Sequence, residues 1–230
     1  MVTGNGMIAK RFSRFADDAD RLIFASGVSN SANTSDSAFK KESDLLLSDI
    51  GRHPAATVIY FSTCSIYDPS LQQSPYVLHK LKMEELIKSV SGSFIIFRVS
   101  NPVGFTGNVH TLLNYFVEHL LSRTAFTVWQ YASRNLIDLD DMFHICEAII
   151  KNEHWLNKTV NIANPVNYPV LGIIESLEQH LNIKGNYTIV EKGNSPLIDT
   201  SGIQQLYSDL HIDFGNDYLQ RLLQKYYPQS

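Results

Sequence analysis

The chain has 230 residues, 44% hydrophobic and 18% charged, with a formal net charge of −4. That size suits one large domain, or a main domain with a small appendage, and leaves enough apolar side chain for a core. The negative balance excludes non-specific binding to nucleic acid or to an anionic membrane surface, both of which need a surplus of Lys and Arg, so a small-molecule partner is expected.

The chain opens on Met1 and Val2, too little for more than a stub of a first strand, and then on "TGNGMIA", a glycine turn leading into a helix. Short β-rich runs follow: "RLIFAS" (21–26), "ATVIYFS" (56–62), "SFIIFRVS" (93–100), "FTVW" (126–129) and "TVNIA" (159–163). Between them "FKKESDLLLSDI", "YVLHKLKMEELIKSV", "HTLLNYFVEHLLS" and "DDMFHICEAIIKN" carry apolar residues at helical intervals. Strands alternating with helices predict an α/β, doubly wound parallel sheet of Rossmann-like type. From Pro165 the pattern changes to a helix "VLGIIESLEQHL", a strand "NYTIVE" and two further helical stretches ending at "YLQRLLQKYY". The expected division is therefore 1–164 for the Rossmann-like domain, with substrate-side elements interleaved from about 101, and 165–230 for a small C-terminal α+β subdomain.

Cys64 and Cys146 lie far apart without metal-ligand spacing, which fits a reducing compartment. No apolar stretch approaches the ~20 residues that span a bilayer, and the N-terminus lacks the basic-then-apolar order of a signal peptide. A soluble, cytoplasmic protein with no metal centre, no nucleic-acid partner and no membrane contact is expected.

In "TGNGMIA", Gly4, Gly6 and Ala9 form a G-x-G-x-x-A pattern. The first glycine permits a tight turn, the second lets backbone approach a pyrophosphate, and a small third residue allows close packing. The same letters also make an ordinary structural turn. In "YFSTCSIYDPSLQQSPYVLHK", Tyr76 and Lys80 are four apart on a predicted helix and share a face. A neighbouring ammonium favours a phenolate, so Tyr76 is a candidate to exchange a proton with an alcohol or carbonyl. Thr63 ends a strand, where its hydroxyl is placed to meet the same oxygen. Taken structurally, the tyrosine is a buried ring and the lysine a solvated chain.

These segments together resemble the extended short-chain dehydrogenase/reductases, in the NAD-dependent nucleotide-sugar epimerase/dehydratase/reductase group. "TGNGMIA" resembles the phosphate turn, "YFSTCSIYDP" the strand ending in the catalytic hydroxyl, and "YVLHKLKMEELI" the Tyr-x-x-x-Lys helix. "FRVSNPVGFTGN", "RNLIDLDDM" and "NIA" resemble later landmarks, in the same order. The resemblance implies NAD or NADP as cofactor and a nucleotide-sugar substrate, with Thr63 polarising it, Tyr76 as acid/base and Lys80 as tuner of Tyr76 and ribose contact. It implies cofactor contacts from Gly4, Gly6, Met7, Ile8, Ala25, Ser26, Gly27, Ser62, Pro102 and Val103. On the substrate side it implies Asn101 and, with a planar fork suited to phosphate, Arg134. Reduction or epimerisation in surface-polysaccharide precursor synthesis, and a homodimer paired through the Tyr/Lys helix and the one before it, follow from the same resemblance. The competing reading is a non-catalytic Rossmann-fold binding or assembly module.

The chain also departs from that family. "MIAKRFSRFADDAD" runs straight into "RLIFASG", so the sheet is expected to lack its usual second and third strands and the acidic or basic residue that reads the adenosine ribose. If the first helix kept its usual face, its crossover would be left-handed, against the strong rule; a changed face or a changed strand order is the expectation. A loop carrying Asn30, Ser31 and Asn33 could replace the lost adenosine contacts. Cys64 and Ser65 stand where dehydratases carry an acid, which discounts dehydration, and Glu42 stands where an asparagine is common. Cys64 reads as a packing residue, "DLDD" (138–141) as a helix start, and His79 as pointing away from Lys80.

Overall fold

A computed structural model describes residues 1–28 and 34–228; Asn30, Ser31 and Asn33 fall outside the described residues. In chain order the elements are β1 (Val2–Thr3), α1 (Met7–Arg11), β2 (Arg21–Phe24), α2 (Asp36–Arg52), β3 (Thr57–Thr63), α3 (Pro75–Val90), β4 (Phe94–Val99), β5 (Asn101–Val103) and α4 (Leu112–Ser122). Then come β6 (Phe126–Trp129), β7 (Ser133–Asp138), α5 (Leu139–Ile150), β8 (Lys158–Ile162), β9 (Asn167–Pro169), α6 (Val170–Leu181), β10 (Tyr187–Val190), α7 (Gln204–Asp209) and α8 (Tyr218–Tyr226).

Five strands form one parallel sheet in the order β1-β2-β3-β4-β8. Successive residues of a strand face opposite sides. Ile23, Ile59, Phe61 and Phe97 therefore meet Phe12, Phe15 and the inner side of α5, including Met142 and Phe143. Leu22, Phe24, Val58 and Tyr60 meet Leu46 of α2 and Met83 and Ile87 of α3. Helices cover both faces, as the apolar runs predicted. Full burial of both strand faces explains why those runs are continuous rather than alternating.

The first crossover lies on the other face of the sheet from the two that follow it. β1 is hydrogen-bonded beside β2, and the chain steps across the sheet in one direction from β1 to β4. Yet α1 packs on the α5 face while α2 and α3 pack on the other. The β1–α1–β2 connection thus has the opposite hand to the two that follow. A short connection tolerates this: α1 has five residues and continues into a one-turn helix, Ser13–Phe15. Phe12 fixes it, packing edge-on against Phe61 at 5.0 Å and Phe143 at 4.9 Å.

A second, smaller assembly pairs β6 with β10 and sets β7 between β5 and β9. Its apolar cluster joins Leu113 and Phe116 of α4 and Leu136 of β7 to Ile173 and Ile174 of α6 and Leu219 and Leu222 of α8. It draws on residues from both sides of position 165. The sequence runs did not reveal β7, because "SRNLID" mixes apolar with polar residues. Its buried polar members are bonded: Asn135 Nδ2 donates to Asn164 O (2.7 Å), and Tyr226 O–H donates to Asp138 Oδ1 (2.9 Å).

Candidate functional site

A cavity of about 660 Å³ opens at the carboxyl ends of the strands, where open α/β sheets bind their ligands. Its walls include Gly6, Met7 and Ile8 after β1, Ala25, Ser26 and Gly27 after β2, and Ser62 and Thr63 at the end of β3. Tyr76 and Lys80 of α3, Asn101, Pro102 and Val103 of β5, and Arg134 of β7 complete the set expected from sequence. Gly4 stands just before the lining residues Asn5 and Gly6. It has a φ of 129°, and a Cβ there would lie 2.5 Å from Ala25 O, so its part is to make the turn and the close approach to β2. Gly6 faces open space, with nothing within 4 Å of where a Cβ would stand.

Thr63 caps a one-turn helix, Cys64–Tyr67, accepting from Ser65 N at 3.0 Å and donating to Ser65 Oγ at 3.0 Å. α3 begins on Ser74, whose hydroxyl accepts from Val77 N (3.2 Å), with Pro75 at its first position. That start sets Tyr76 in the first turn and Lys80 one turn on, both buried against the cavity. Ser62 Oγ donates to Glu84 Oε1 (2.6 Å), which Arg98 also holds through Nε (3.0 Å) and Nη2 (2.7 Å to Oε2). Cys64 is the packing residue expected: its Sγ donates to Arg98 O at 3.0 Å, and burial pushes its thiol up to about 12, too high for a nucleophile.

Behind Lys80 lies a cluster that the sequence signalled only through the unusual Glu42. Glu42 Oε1 accepts from Tyr60 O–H (2.7 Å) and Lys80 Nζ (3.0 Å), and Oε2 accepts from Val28 N (2.7 Å) and meets His79 Nε2 (3.0 Å). Lys80 Nζ donates also to Tyr60 O–H (3.0 Å). Burial alone would raise the Glu42 carboxyl, but the bonds from His79, Lys80, Val28 and Tyr60 outweigh it and hold it at about 2. His79 therefore does not point away from Lys80's surroundings: the two neighbours reach the same carboxylate through different oxygens, and His79 stacks on Phe39 at 4.4 Å.

On the other side, Asn101 Nδ2 donates to Asn135 O (2.8 Å), while Arg134 Nη1 donates to Ser133 O (2.8 Å) and stands 3.8 Å from Asp68 Oδ2. Asp68, a cavity residue missed from sequence, takes Ser70 N (2.9 Å) and Oγ (2.6 Å) on Oδ1. Tyr227 lines the cavity too, its hydroxyl donating to Asn114 Oδ1 (2.6 Å). In "DLDD", Asp138 is the N-cap of α5, accepting from Asp140 N (2.7 Å), and Lys225 holds it at 2.9 Å. Among the described residues no group of three His, Cys, Asp or Glu could hold a metal ion, and no helix is long and apolar enough to cross a membrane.

A five-stranded parallel sheet covered on both faces, with a glycine turn at its carboxyl edge beside a Tyr-x-x-x-Lys helix, defines a Rossmann-like α/β protein. The sequence profile of the NAD dependent epimerase/dehydratase family matches residues 22–163, and the chain belongs to that family. Similar solved structures include a UDP-glucuronic acid 4-epimerase from Bacillus cereus in complex with UDP-glucuronic acid and NAD, at 17% identity and TM-score 0.66, covering 91% of this chain and 78% of that one. A UDP-glucose 4-epimerase from Bifidobacterium longum with NAD⁺ and UDP gives 18% identity and TM-score 0.66 over 86% of this chain and 73% of that one. RMD from Pseudomonas aeruginosa complexed with NADPH gives 14% identity and TM-score 0.67 over 89% and 80%. No curated protein sequence matches the chain.

Proposed function

We propose that the protein is an NAD(P)-dependent reductase or epimerase acting at a carbonyl or hydroxyl carbon of a nucleotide-linked sugar, with reduction the favoured direction. The supporting observation is that Thr63, Tyr76 and Lys80 line one cavity together with Gly6, Met7 and Ile8 of the turn and Arg134. The cofactor, when bound, supplies or accepts the hydride at the sugar carbon. Gly6 leaves room for a pyrophosphate against the backbone, and Gly27 lies against Lys80 where a Cβ would stand 2.5 Å from Nζ, so the residues present fit a dinucleotide. α1 offers only five residues' worth of aligned dipole to that pyrophosphate, so the turn itself is read as the main grip.

In reduction Tyr76 gives its hydroxyl proton to the carbonyl oxygen as the carbon receives hydride. Thr63 donates a hydrogen bond to that oxygen once its Ser65 contact yields, and Arg134 meets the diphosphate. The chain is read as a shortened member, its adenosine half lacking the usual second and third strands, and as serving surface-polysaccharide precursor synthesis. A homodimer through the face of α2 and α3 is proposed on the exposed Leu47 and Leu78 of those helices. The second reading, a binding module without turnover, draws on the pairing of Lys80 with Glu42 and of Arg134 with Asp68. A screen of 4-keto nucleotide sugars with NADH and NADPH, followed by nicotinamide absorbance, separates the two: oxidation of the cofactor supports the enzyme, and binding without oxidation supports the module.

A further inference from the structure

The donors around Glu42 come from separate parts of the chain: Tyr60 on β3, His79 and Lys80 on α3, and the backbone of Val28 after β2. A carboxylate has about four acceptor sites, and all are occupied. An ammonium has three N–H groups. Two of Lys80's go to Glu42 and Tyr60, and among the described residues the third has no partner, on a side chain that is 3% exposed and lines the cavity. Gly27 packs closely beside this pair, since even a methyl there would come within 2.5 Å of Nζ and 2.9 Å of Glu42 Oε1. A four-carbon stem that would otherwise lose its rotamer freedom on meeting a ligand is already ordered by the fold.

We propose that Glu42 is a positioning residue: it fixes the Lys80 ammonium so that its one free N–H is presented to a nicotinamide cofactor in the cavity. The inference rests on the reading of Lys80 as a cofactor contact. Tyr60 is the brace of this arrangement, bridging the ammonium and the carboxylate through one hydroxyl, and His79 holds the second carboxylate oxygen in line.

The test is a double-mutant cycle on NADH and NADPH affinity, measured by calorimetry on the full chain, with thermal melting in parallel. Glu42→Gln is expected to weaken binding about tenfold, and to add nothing in a Lys80→Met background, because its effect passes through Lys80. A purely structural part for Glu42 would lower the melting temperature and the fraction of binding sites but leave the affinity of the folded protein unchanged. Tyr60→Phe, which removes one hydroxyl and keeps the ring packing and every charge, is the second variant should Glu42→Gln not fold. Its expected loss is about threefold, again absent without Lys80. Equal losses in both backgrounds, or no loss in either, would overturn the inference. Wild-type protein that binds neither cofactor would overturn the functional reading and this inference with it, whereas wild-type binding with unchanged variant affinity overturns the inference alone.

Discussion

Lys80 and Glu42 form a buried ion pair, Nζ to Oε1 3.0 Å, with their side chains 3% and 0% exposed. Removing one member of such a pair strands the other charge in a low-dielectric interior, at a cost of about 3–5 kcal/mol. Lys80→Met and Glu42→Gln are each expected to lower stability by that order. The double variant should lose much less than the sum of the single losses, since no lone charge remains. Urea unfolding of all four proteins checks this, and additive losses would refute the pairing as a stability element.

The same carboxylate carries a pH dependence. Glu42 is held at about 2 against an ordinary 4.5, so its contribution to stability is complete above about 4.5 and is lost as pH falls through about 2. Melting temperature is expected to drop across that acid window, with a shallower drop in Glu42→Gln. Identical acid slopes in the two proteins would show that other carboxylates govern the transition.

Tyr76→Phe deletes one hydroxyl from a ring that is 8% exposed. Turnover on a true substrate is expected to fall by about 10²–10⁴, with cofactor and nucleotide-sugar affinities nearly unchanged. Wild-type turnover in this variant would remove Tyr76 as the acid/base.

Asp68 stands 3.8 Å from Arg134 inside the cavity wall, a carboxylate next to the cation assigned to a diphosphate. Asp68→Asn is expected to tighten binding of a nucleoside diphosphate by a factor of about 3–10, most at low salt. The gain should vanish in Arg134→Ala. Weaker binding in Asp68→Asn would mean that the carboxylate orients the guanidinium rather than competing with the ligand.

After α1 and the one-turn helix Ser13–Phe15 the next element is β2, so the segment that would carry a charged reader of the adenosine ribose is absent on the shortened reading. Weak cofactor affinity and less than tenfold discrimination between NADH and NADPH are expected, since a ribose hydrogen bond contributes about 0.5–1.5 kcal/mol, and more when charged. Calorimetric titration with both cofactors is the check. Tight, selective binding would instead locate a substitute adenosine site elsewhere in the chain.

Much of the architecture was legible from residue order. Doubly buried strands read as continuous apolar runs, as in "TVIYFST", and the Ser74–Pro75 start of α3 fixes by helical period that Tyr76 and Lys80 share a face. β5, β7 and β9 were not legible: β5 and β9 have three residues each, and β7 carries buried Asn135 and Asp138 where an apolar run would signal a strand; those two are satisfied by Asn164 and Tyr226, distant in sequence.

By itself the sequence determined the local pieces: the glycine turn, the amphipathic helices, the shared face of Tyr76 and Lys80 and the short first strand, all of which depend on neighbours a few residues apart. Tertiary structure alone decided that α1 packs on the α5 face, opposite α2 and α3, because Phe12 finds its aromatic partners there. It alone decided that Lys80 and His79 converge on Glu42, whose sequence separations of 38 and 37 leave no periodic trace. Hydrophobic period encodes which side of an element is buried; what that side meets depends on how the chain closes.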